Sequence, residues 1–140
     1  NDKKNAPSID IDAGTDNINI ILSKENFEKY GLLRSLQNDY TYLSPLISAF
    51  LIIPALTMVL EELKRKLETS EDIDNLVEEE AENHRWFRVL NNKLQEIGIN
   101  IKEPNAFTDS TLNISQRLVG DPLTKGFKFF DEIHSTNEGE

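Results

Sequence analysis

A chain of 140 residues with 38% hydrophobic side chains holds enough apolar material for one core and not for two. Its 25 acidic and 15 basic residues leave a net charge of −10, which repels phosphate backbones and argues against nucleic acid as a partner. With no cysteine, disulfide staples, thiolate nucleophiles and cysteine-ligated zinc are excluded, and a cytoplasmic location is the expectation.

Residues 1–7 read as a flexible lead-in, residues 8–134 as a single α-rich domain, and residues 135–140 as a disordered tail. The chain opens on Asn1 and not on Met, so a processed product or a piece of a longer protein is expected. Ile9 and Ile11 alternate with Asp10 and Asp12. After the turn residues Ala13–Asn17, Ile18, Ile20 and Leu22 alternate in the same way, which predicts a β-hairpin with one apolar face. Ser23 can cap a helix starting at Lys24, with Phe27, Tyr30, Leu33 and Leu36 at intervals of three and Gly31 as an interruption.

Tyr40 to Leu60 is twenty-one residues without a charge, in a chain that is 29% charged. Ser44-Pro45 is a good helix start, and Lys64, Arg65 and Lys66 suit a helix C-terminus. A helix from Ser44 to about Glu68 would be roughly 37 Å long. From Leu46 to Ile53 it is apolar on every face, whereas Leu56, Leu60, Leu63 and Leu67 form a single stripe. Pro54 removes the bond to the Phe50 carbonyl and predicts a kink. Leu46, Phe50, Ile53, Leu56, Leu60 and Leu63 are the expected core. Residues 40–60 also have the length of a membrane span, but Ser44, Ser48, Thr57 and two prolines weigh against it.

Ser70 is the expected cap of the next helix. There Ile73, Leu76, Val77 and Ala81 define one stripe, and Trp86, Phe87, Leu90, Leu94 and Ile97 define another, rotated by roughly 100°. One straight helix cannot bury both, so a break is predicted near Glu82–His84. Ile99 and Ile101 alternate with polar residues and suggest a third strand. Asp109 or Ser110 begins a further helix ending at Gly120, and Asp121-Pro122 starts a last one carrying Leu123, Phe127, Phe130 and Ile133. The fold class is therefore α+β and predominantly α-helical: a central buried helix with a small β-hairpin or three-stranded sheet.

The candidates for chemistry are sparse. Glu80 and His84 share a helix face and can ligate a metal, but two ligands are not a site. Asp10 and Asp12 fall on one face of a strand, where paired carboxylates can hold a divalent cation. Asp131 and His134, three apart, have the spacing of a carboxylate orienting an imidazole, with no nucleophile tied to them. His84-Arg85-Trp86-Phe87-Arg88 mixes bases with aromatics as stacking platforms do, yet both rings fall in an apolar stripe. Glu62-Leu-Lys64 has the acid-x-lysine spacing of some metal-dependent nucleases but sits on a helix. No phosphate-binding glycine loop, dinucleotide fingerprint, GxSxG or HExxH occurs, and no cofactor is expected. Seven acids and no base lie between Glu71 and Glu82, with Glu78, Glu79 and Glu82 the candidate contact residues for a basic protein. The expectation is a non-catalytic interaction or assembly domain that associates with itself or with a basic partner. A divalent-cation enzyme using Asp10, Asp12, Glu80 and His84 is the alternative.

Overall fold

A computed structural model describes residues 8–14, 16–35 and 43–138. Leu36, Tyr40, Tyr42 and the lead-in 1–7 lie outside the described residues, as do the side chains of Phe130, Ile133 and His134. The fold is mostly helical, with one two-stranded antiparallel sheet.

Strands β1 (Ile9–Ala13) and β2 (Ile18–Leu22) pair with Ile9 opposite Leu22 and Ile11 opposite Ile20. The alternation puts Ile9, Ile11, Ile18, Ile20 and Leu22 on the half-buried face and Asp10, Asp12, Asn19 and Ile21 in solvent. Gly14 N–H donates to the Asn17 carbonyl to close the turn. Helix α1 (Lys24–Ser35) follows the Ser23 cap, whose hydroxyl accepts from Asn26 N–H. Gly31 does not interrupt it. Its apolar residues never form a stripe, so Phe27, Leu32 and Leu33 stay exposed.

The uncharged segment forms helix α2 (Leu43–Ile47), a π-helical turn (Ser48–Ile52) and helix α3 (Ile53–Thr69), with Pro54 in the first turn of α3. Proline cannot donate to the carbonyl four residues back, and the wider π turn lies just ahead of it. This changes the expected core. Ile53, Leu60 and Leu63 are buried and Leu46 and Leu56 half-buried, but Phe50 is 71% exposed. One extra residue in a turn rotates everything before it by about 100° relative to the residues after it, so Phe50 leaves the stripe that Ile53 and Leu60 continue.

Asp72, and not Ser70, caps helix α4 (Ile73–Asn83), its carboxylate accepting from Asn75 N–H at 3.1 Å. Ser70 lies one residue past the end of α3 and accepts from Asp72 N–H instead. The predicted break is present. His84 is extended, with φ −132° and ψ 111°, and helix α5 (Arg85–Glu96) starts beyond it. The two stripes thus reach one core, in which Val77 from α4 meets Phe87, Leu90 and Leu94 from α5 and Val59, Leu60 and Leu63 from α3.

The third strand is a correction. Ile99 follows Gly98 (φ 84°) as the last residue of a Schellman cap: Ile99 N–H donates to the Leu94 carbonyl and Gly98 N–H to that of Gln95. The apolar residue at that position packs back on its helix. Asn100 then turns the chain, its side chain accepting from Lys102 N–H, so Ile101 is also buried without strand pairing. Helix α6 (Thr111–Val119) is capped by Ser110, whose hydroxyl accepts from Asn113 N–H, and ends at Gly120 with φ 79°. It packs along α3, where buried Ser115 meets Thr57 at 3.1 Å and Thr111 donates to Glu61. Helix α7 (Pro122–Glu138) runs past residue 134, where the sequence signals end. Its Gly126 faces Leu46 so closely that a Cβ there would lie 2.6 Å from Leu46 Cδ2. Leu123 and Phe127, expected to form its inner stripe, are exposed instead.

Candidate interaction surface

Three regions bear on function: a polar cleft beneath the hairpin, an acidic face on α4, and an apolar groove beside the π turn.

The cleft, about 300 Å³, lies between the hairpin, α3 and the α4–α5 junction. Ile11, Val59, Leu63 and Phe87 form apolar wall, and Glu62, Lys66, Glu80 and His84 supply polar groups. Glu80 is the centre of the polar set. One of its carboxylate oxygens takes Lys66 Nζ at 3.0 Å and the other faces His84 Nε2 at 3.6 Å. Glu80 and His84 do meet, as their spacing requires, but an ammonium stands where further ligands would be needed. Among the described residues no group of three or more His, Asp or Glu side chains is arranged to hold a metal ion. Glu62 pairs with Arg65, whose guanidinium hydrogen bond holds the Glu62 carboxyl below its usual range. The acid-x-lysine reading of Glu62 and Lys64 therefore has no strand and no metal ligand set.

Asp10 and Asp12 do not join this cluster. Ile11 and Ala13 line the cleft, so the alternating aspartates point to the other side of the hairpin, into solvent. Asp10 instead accepts from Ile11 N–H at 2.8 Å, occupying a backbone donor on the strand. The four residues of the divalent-cation alternative are thereby divided between two faces. Asp131 is exposed on α7, and the His134 side chain lies outside the described residues.

The mixed basic-aromatic run is also placed. Phe87 is 1% exposed and Trp86 is half-buried, with its indole N–H donated to the Gly14 carbonyl at 2.7 Å. Trp86 meets Phe87 edge-on, and its ring centroid lies 5.5 Å from that of His84. Rings committed to the core and to the hairpin are not free to stack on bases.

Glu78, Glu79 and Glu82 are exposed on α4, as the sequence implies. Their acidic neighbour Glu80 turns inward to Lys66, so the run divides into an outer face and one inner ion-pair partner.

The apolar groove is the feature that sequence periodicity missed. It encloses about 410 Å³ between one end of the hairpin, α1 and the π turn, lined by Ile9, Leu22, Leu33, Ile47, Phe50 and Leu51. Lys29 is a charged residue on its rim, and it is bound to Glu25 at 2.7 Å. Ile52 is exposed nearby in sequence, and Met58 is exposed on α3, beside the polar cleft. Ser44–Thr69 is long and apolar enough to cross a membrane, and 29% of its most apolar stretch is buried. Yet Val59, Leu60 and Leu63 of the same helix are core residues, and a span over 40–60 would pull Val59 and Leu60 out of it. The part ahead of α3, Leu43–Ile52, is ten residues or about 15 Å, half of a bilayer core.

No protein-family model, no curated protein and no solved structure matches this chain.

Proposed function

We propose that this chain is a non-catalytic interaction and assembly domain whose contact surface is the uncharged helical stretch around the π turn. The observation that carries this reading is the division of one continuous helical segment. Its α3 half is anchored in the core through Leu60, which is 0% exposed, and its preceding turn presents Phe50 at 71% exposure beside an apolar groove. Apolar groups cost free energy in water, roughly 25 cal/mol per Å², so a contiguous exposed patch of them marks a surface that is covered in use. Placing Glu80 with a lysine and the aspartates in solvent gives the divalent-cation alternative no assembled site to build on.

The test is a photo-reactive benzoylphenylalanine at position 50, irradiated in cells, with the same residue at Glu79 as a control. A protein adduct at position 50 is expected. Absence of any protein adduct there, with itself or with another chain, overturns the reading.

The exposed acids of α4 support a second contact, with a basic protein. Fixed like charges act mainly on association rate and are weakened by salt. Replacing Glu78, Glu79 and Glu82 with glutamine should leave the fold intact, because exposed charges contribute little to stability. It should also remove a co-purifying basic protein. Recovery of the same partners at the same salt dependence would make the face solvated surface only. Such partners, and the lack of cysteine, fit a cytoplasmic setting.

A further inference from the structure

Helix α5 carries Arg85, Val89 and Lys93 four residues apart, which sets them along one edge, and all three are exposed. One position further round, Trp86 is half-buried and Leu90 is buried, so the helix turns apolar beneath that edge. Ile18 of the hairpin, Leu56 of α3 and Leu118 of α6 join these two in a groove of about 420 Å³, with Arg85 and Lys93 in its lining. It shares no lining residue with the groove beside Phe50. We infer that it binds a small amphipathic carboxylate, one acid group on an aliphatic or aromatic body. The body lies on Leu56, Trp86, Leu90 and Leu118, and the acid group takes Arg85.

Charge chooses this class of ligand. The chain stands at −10, yet two cations face one carboxylate, Asp16, in the lining of this groove. Among the described residues no carboxylate forms an ion pair with Arg85. Lys93 meets Glu96 at 3.4 Å, but both side chains are more than half exposed, and Glu96 is not part of the lining. Such a pair is weak and yields to a better one. The polar cleft has the opposite balance, with Glu62 and Glu80 against Lys66.

Arg85 supplies geometry as well as charge, because a guanidinium fork matches a carboxylate with two parallel hydrogen bonds. A cationic ligand would meet Arg85 and Lys93 as like charges, and a neutral one would leave the guanidinium unused. A polyanion would be repelled by the rest of the molecule, whereas a single charge feels mainly the groove, since screening acts within about 8 Å in physiological salt. Size agrees: sites for small molecules are clefts of about 300–1,000 Å³ with apolar walls and a few placed polar groups.

Trp86 is the only tryptophan of the chain, so its emission reports on this groove. Titration with sodium decanoate near neutral pH should change that emission saturably, with a dissociation constant on the order of 0.1 mM, matched by calorimetry. Decan-1-ol, the same chain without the charge, should bind about tenfold more weakly, and Arg85→Gln should lower decanoate affinity by about the same factor. Val89→Glu places a carboxylate between the two cations and should compete with decanoate to similar effect, with an unchanged circular dichroism spectrum; it decides if Arg85→Gln fails to fold. Phe50→Asp, in the other groove, should bind decanoate as wild type does. The inference is overturned if decan-1-ol binds as well as decanoate, or if either α5 variant, once folded, keeps wild-type affinity. Loss of binding in Phe50→Asp overturns it by moving the ligand to the other groove. So does calorimetric binding that leaves Trp86 emission unchanged, or no binding up to about 5 mM.

Discussion

Trp86 donates its indole N–H to the backbone carbonyl of Gly14 at 2.7 Å, joining α5 to the hairpin turn across 72 positions of sequence. Among the described residues of the hairpin, Ile11 and Ile18 pack against the helical core beside this bond. Trp86→Phe keeps an aromatic ring and removes the donor. A neutral hydrogen bond contributes about 0.5–1.5 kcal/mol net, and the smaller ring adds a packing loss, so the variant should lose about 1–2 kcal/mol. Hydrogen exchange should quicken over residues 9–22 and stay unchanged in α3. Equal quickening everywhere would mean that the hairpin and the helices unfold as one unit.

Two phenylalanines separate core from surface. Phe87→Ala, at a residue 1% exposed, should cost about 3–5 kcal/mol. Phe50→Ala, measured in dilute solution, should stay within about 0.5 kcal/mol of wild type. Urea denaturation midpoints check both. A large loss at Phe50 in dilute solution would place that ring inside the monomer fold.

Gly126 lets α7 approach α2 where no other side chain fits. Gly126→Val would set a Cβ 2.6 Å from Leu46 Cδ2 and 2.7 Å from Leu46 Cγ. Overpacking of this kind costs about 1–3 kcal/mol. The expected result is selective loosening of α7, seen as faster proteolysis beyond Pro122 while the α3–α6 fragment survives. Gly126→Val combined with Leu46→Ala should recover part of the loss, since the second change empties the space the first one needs.

Asp109 gives a pH dependence of known sign. The Asn113 side-chain amide and then the Ser110 backbone N–H donate to its carboxylate and lower its pKa from the ordinary 3.8. A carboxyl lowered on folding stabilises the native state above its unfolded pKa, and this contribution disappears as pH falls through the folded value. The stability difference between wild type and Asp109→Asn should therefore be constant near neutrality and shrink below pH ~4. A difference that stays level down to pH ~2 would show that the carboxylate charge plays no part in holding the start of α6.

Local signals were readable wherever a residue's role is set within one or two turns. Ser23, Ser110 and Gly120 act as the caps their types suggest, and the rotated stripes between Ala81 and Trp86 required the break found at His84. What failed depended on longer-range or competing geometry. Ser70 and Asp72 are both good caps, and the extension of α3 to Thr69 decided between them. Ile99 and Ile101 have strand spacing, but a Schellman cap and an asparagine turn bury both without a strand. Of the candidate site, Glu80 with His84 was legible from helical spacing. Their lysine neighbour, fourteen positions away at Lys66, was not, because it depends on how α3 crosses α4. The groove was invisible because the fold assembles it from three elements, and neither α1 nor the π turn shows a clean amphipathic pattern.

The π turn gives the chain a frame, in the sense that a reading frame has one. Removing one residue from Ser48–Ile52 would return the helix to regular winding while α2 kept its orientation, since the π turn is where one extra residue is absorbed. Leu46 would still face Gly126 of α7, and the change would be confined to the side chains the turn displays, Phe50 among them. A one-codon deletion here would thus redraw the exposed turn and leave the packing on either side of it in place. Length, and not composition, is the variable on which selection would act at this point of the chain.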